Sequence, residues 1–79
     1  MVVKSKIMRD LILEREKKKL YYTENAKKFK EEIQDDSNIQ DQSIKDSLLN
    51  DIDNVTKYIH KELEEEYIKK LANLLRSED

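Results

Sequence analysis

Neither glycine nor proline occurs anywhere in the 79 residues. Tight hairpins and the turns between strands rely on those two residues, one for positive φ and the other for a preset φ, so a sheet-based fold is disfavoured from the outset. An all-α chain remains, with turns made by Asn, Asp and Ser. Cysteine is absent too, so no disulfide and no thiolate metal site can staple the fold, which fits a reducing compartment. A single domain of this length buries a small share of its surface and, lacking a staple, depends on a partner for stability.

Hydrophobic spacing supports two helices. Met8, Ile12, Arg15, Lys19, Tyr22, Ala26, Phe29 and Ile33 recur in alternating steps of four and three, the coiled-coil rhythm, which predicts helix one over 4–34. Leu48, Ile52, Val55, Ile59, Leu63, Tyr67, Leu71 and Leu74 do the same for helix two over 39–77, although the four-residue steps from Val55 to Leu71 depart from a strict heptad. Between them lies QDDSNIQDQS, with Ser37 (Gln40 three residues on) and Ser43 as candidate N-caps and a turn at 35–38. The stretch NDIDN, residues 50–54, is the weakest helix former and the place to look for a kink or break; TENA after Tyr22 is a smaller case.

Folding at 35–38 predicts an antiparallel hairpin in which the numbers of facing residues sum to about 74. Ala26 then meets Leu48, Tyr22 meets Ile52, Ile12 lies near Leu63 and Met8 near Tyr67. The expected core is Met8, Ile12, Tyr22, Ala26, Phe29, Leu48, Ile52, Val55, Ile59, Leu63, Tyr67 and Leu71. Ile7, Leu11, Leu13, Leu20, Leu49, Ile68 and Leu75 fall off the seam and widen the apolar stripe beyond what one partner helix covers. The hairpin therefore needs completion, by a second copy in a four-helix bundle or by a larger protein.

Charge is plentiful, 16 Lys and Arg against 18 Asp and Glu, and unevenly placed. Residues 1–34 hold ten cations and six acids, residues 35–79 six and twelve, so a net −2 hides a +4 half and a −6 half. Arg15 and Lys19 interrupt the first seam. Their stems are expected to cover apolar surface while their heads reach solvent or flanking acids such as Glu62 and Asp51, fixing register. A second reading takes REKKK with Lys27, Lys28 and Lys30 as a phosphate-contacting strip, with Tyr21 and Tyr22 as stacking surfaces; Glu14, Glu16, Glu24 and a pI near 5.5 weigh against it. A third gives this face to an acidic protein partner. Arg15, Lys18, Lys19, Tyr21 and Tyr58 are the candidate partner-binding residues, the two tyrosines because they sit off the seam.

Catalytic and metal chemistry finds no foothold in the sequence. His60, the one histidine, has Glu64 four residues on but no HExxH pattern, and is expected to be an ordinary helical histidine. ELEEE, residues 62–66, reads as a solvated face with i,i+4 partners at Lys69 and Lys70. DIDN, 51–54, lacks the glycine of a calcium loop. No apolar run reaches the roughly 18 residues of a membrane span, and 1–19 lacks the uncharged core of a secretory signal. Met1 and the polar RSED ending read as natural termini. The expectation is thus a cytoplasmic, non-enzymatic, single-domain helical module without cofactor or small-molecule substrate. It binds a protein partner or itself as an accessory subunit or regulator, with nucleic-acid binding through helix one or a structural coiled-coil homodimer as alternatives.

Overall fold

The computed structural model describes residues 3–77. Two helices, α1 (Lys4–Asp35) and α2 (Gln42–Arg76), pack against each other as an antiparallel hairpin, and no strand occurs among the described residues. The molecule measures 61 × 15 × 11 Å with a radius of gyration of 18.2 Å, where a globular chain of this length would have about 12 Å. None of its helices is long and apolar enough to cross a membrane, among the described residues.

The turn is longer than the sequence predicts and is made by aspartates. Asp36 Oδ1 accepts from the Asn38 amide at 2.9 Å, and Asp41 Oδ1 accepts from the Ser43 amide at 2.9 Å as the N-cap of α2. Neither Ser37 nor Ser43 is the cap. Aspartate caps as well as serine does, and its charge also suits the positive end of the helix dipole, so α2 begins at Gln42 and not at 39. Both doubtful stretches are unbroken helix. In NDIDN, Asp53 pairs with Lys30 across the hairpin and Thr56 Oγ1 donates to the Ile52 carbonyl at 2.7 Å; in TENA, Thr23 Oγ1 donates to the Lys19 carbonyl at 2.9 Å. Cross-hairpin pairing, of Asp53 with Lys30 and of Thr23 with His60, overrides weak local propensity there.

The longer turn slides the register. Lys30 with Asp53, Thr23 with His60, and Lys19 with Glu64 each sum to 83, not 74. Part of the difference is the turn itself, and part is that side chains lean toward the N-terminus of their own helix, which in an antiparallel pair raises the sum on both sides. Tyr67 consequently meets Lys18 and not Met8. The α1 seam shifts as well, with Leu11 and Lys18 turned inward while Ile12 is exposed.

Only Leu63 and Tyr67 are buried among the described residues. Met8, Ala26, Ile52, Ile59 and Leu71 are half-buried, and Ile12, Tyr22, Phe29, Leu48 and Val55 stay exposed, with Phe29 at 58% and Val55 at 56%. Two helices meet along one line, and side chains flanking that line have no second surface to pack on.

Candidate interaction surface

An open groove of 410 Å³ runs between the helices on one side of the hairpin. Its walls are Tyr22, Ala26 and Phe29 of α1 and Leu48, Ile52, Val55 and Ile59 of α2, with Asp51 among its lining. Ala26 contributes a single methyl group where its neighbours are large, which leaves the hollow unfilled. The groove continues past Tyr22 and Ile59 to Leu63, where Glu62 and Glu66 form its edge.

Beyond that edge two lysines flank a buried ring, with Glu14 3.8 Å from Lys18, and with Glu62, Glu65 and Glu66 beside Lys70. Tyr67 is 0% exposed, and the Lys70 and Lys18 ammonium groups lie 4.5 and 5.2 Å from its ring centroid, within cation–π range. The Tyr67 hydroxyl is enclosed without a hydrogen-bond partner. It is close enough to Lys18 to hold that ammonium above its ordinary pKa, with Glu14 and Glu66 adding to the effect and desolvation opposing it, but does not meet the geometry of a hydrogen bond.

The cations of the opening seam are largely engaged within the chain. Lys19, its side chain 19% exposed, reaches Glu64 at 2.5 Å and draws that carboxyl below its ordinary pKa. This is the anticipated covering stem and paired head, but the acid is Glu64, not Glu62 or Asp51. Arg15, 22% exposed, donates through Nε and Nη2 to Glu16 Oε1 of its own helix at 3.1 and 2.8 Å. Tyr21 is exposed and meets Tyr22 edge to face at 5.3 Å. Arg15, Lys18, Lys19 and Tyr21 thus share one stretch of α1. Tyr58, also exposed, stands half a turn out of phase with Tyr67 on the outer side of α2, away from that group.

Two features escape the sequence reading. His60 Nε2 lies 3.1 Å from Thr23 Oγ1 and 3.2 Å from the Lys19 carbonyl, tying the helices together; only the true register reveals it. The fold also turns the charge asymmetry of the halves into a polarity along the long axis. Residues 31–48, at the turn end, carry Lys45 against six acids, while the other described residues carry fifteen cations against ten acids. Glu78 and Asp79, outside the described residues, make up the overall −2. Among the described residues no three of His, Asp and Glu gather in a metal-binding arrangement.

No protein-family model, curated protein or solved structure matches this chain.

Proposed function

We propose that this chain is a protein-binding module without catalytic chemistry of its own, a small accessory subunit or regulator whose groove face is covered by a protein partner. One observation carries the reading. The groove presents Phe29, Leu48, Val55 and Tyr22 to solvent on a chain that buries only two side chains among the described residues. An apolar hollow of this kind, rimmed by charge, marks a docking surface.

The nucleic-acid alternative is less well supported. Of the seven cations in the predicted strip, Arg15, Lys18, Lys19 and Lys30 are occupied by Glu16, Tyr67, Glu64 and Asp53. Lys17, Lys27 and Lys28 remain, on a chain of net negative charge.

Two measurements test the proposal. Titration of labelled duplex and single-stranded nucleic acid across a salt series should give only weak binding; sub-micromolar affinity falling steeply with salt overturns the reading. Immobilised wild-type chain should retain a protein, its own copy included, that the Phe29→Glu, Val55→Glu variant does not. Equal retention by both refutes the groove's role.

A further inference from the structure

We infer that the groove takes one amphipathic helix of a partner protein, its apolar face flanked by lysine or arginine, lying between α1 and α2 as the third helix of a bundle. The inference rests on the protein-binding reading above and names the chemistry of the partner.

Backbone hydrogen bonding decides the form of the occupant. Both walls are α-helices whose amides and carbonyls bond within their own helix, so the groove offers no strand edge to an extended segment. Its polar lining is Asn25, Asp51 and Thr56, and the Thr56 hydroxyl already donates to the Ile52 carbonyl at 2.7 Å. An extended peptide pressed against Phe29, Leu48 and Val55 would lose water from backbone groups that nothing there replaces. A helix brings its own backbone bonds and presents only side chains. Leu48 to Ile59 spans about 16 Å of α2, so the occupant meets the groove over about three turns.

Charge decides the flank. Lys19 with Glu64, Lys30 with Asp53 and Thr23 with His60 all join the helices on the side opposite the groove, where the charges serve the hairpin itself. The groove side is different. By helical phase, that side of α1 carries Glu32 and then no charge until Lys18, and that side of α2 carries Asp51, Glu62 and Glu66 and no cation until Lys69. Glu66 and Glu14 are engaged with Lys18 beside Tyr67. Asp51 and Glu62 are not engaged: both are exposed, neither has an ion-pair partner among the described residues, and no basic residue stands three or four positions away on α2. Glu32, at the level of Asp51 across the groove, adds acid to the same end. Asp51 and Glu62 lie on one edge of α2, three turns or about 16 Å apart, and bracket Val55 and Ile59. A docked helix with cations at that interval on the flank facing α2 meets both acids while its apolar face fills the hollow. Pairs of this kind contribute to selectivity more than to affinity.

The probe is a labelled synthetic peptide of about 18 residues, with leucine at heptad a and d positions, glutamine outward, and two lysines on one flank about eleven residues apart. Fluorescence anisotropy with the peptide at trace concentration, in low salt, should show it bound by tens of micromolar protein. The same peptide with glutamate for lysine should bind about three- to tenfold more weakly. The Asp51→Lys, Glu62→Lys variant, its helicity checked by circular dichroism, should reverse that order; an order that stays the same, or equal binding of the two peptides by wild type, overturns the basic flank. A proline at the centre of the lysine peptide should abolish binding, and binding that survives it overturns the helical occupant. Failure of both peptides at about 100 micromolar protein overturns the inference, while the protein-binding reading is decided separately by the retention experiment. A wild-type dimer that the Phe29→Glu, Val55→Glu variant does not form puts a second copy in the groove and likewise overturns it.

Discussion

Replacing Tyr67 by Phe removes one oxygen atom from the most enclosed position in the hairpin. The ring is fully covered and carries two ammonium groups on its surface, all of which the phenyl group retains. Only the hydroxyl disappears, and it has no hydrogen-bond partner. A buried polar group left unsatisfied costs about 1–3 kcal/mol, so its removal should stabilise the fold by about 1 kcal/mol or more, less the modest attraction between the hydroxyl and Lys18. For a chain of this size, 1 kcal/mol corresponds to a rise of about 4–8 °C in melting temperature. Thermal melts followed by circular dichroism, at one protein concentration so that any association affects both proteins alike, measure the difference directly. A fall of several degrees would show that the hydroxyl is bonded in solution and would refute the reasoning. Tyr67→Ala supplies the scale, since loss of the whole ring should cost about 3–5 kcal/mol.

Asp41→Ala should cost about 1 kcal/mol by removing the α2 N-cap, whereas Ser37→Ala and Ser43→Ala should change the melting temperature little; urea midpoints distinguish the three. Glu64 has its carboxyl pKa lowered, chiefly by Lys19, so its contribution is present above its ordinary value of 4.5 and is lost as pH falls through the lower folded value. A pH series of melts should show a smaller acid-side decline in Glu64→Gln than in wild type. Replacing Arg15 and Lys19 together by Leu should raise the melting temperature and leave the mass in solution unchanged, because the stems gain apolar cover while the acids left behind, Glu16 and Glu64, are half exposed and stay solvated; sizing and melts on the double variant check both.

How far the sequence alone leads depends on which interactions specify each feature. Two helices and their antiparallel pairing follow from local rules, because apolar spacing sets each buried stripe and the missing glycine and proline leave no other class of fold. Register does not follow locally. Asp36, Ser37, Asp41 and Ser43 are all competent to bond a backbone amide, and choosing Asp41 over Ser37 delays the second helix by four residues. That delay decides which side chains meet. It places His60 against Thr23 and Lys18 on Tyr67, contacts that no spacing pattern in either helix announces.

The same slide explains what seam cations accomplish in a hairpin without a closed core. Lys19 bridges to Glu64 at one level of the seam, and Lys18 covers the Tyr67 ring at another. Apolar residues in those places would make the first helix more nearly equivalent along its length, able to slide by a turn with little change in contact. Two distinct cation contacts, one to a carboxylate and one to a ring, cannot both be kept in a slipped pairing, so we expect them to specify register more than they add stability. The two lysines that share this enclosed ring are offset within the same hairpin, Lys18 by Glu14 at 3.8 Å and by Glu66.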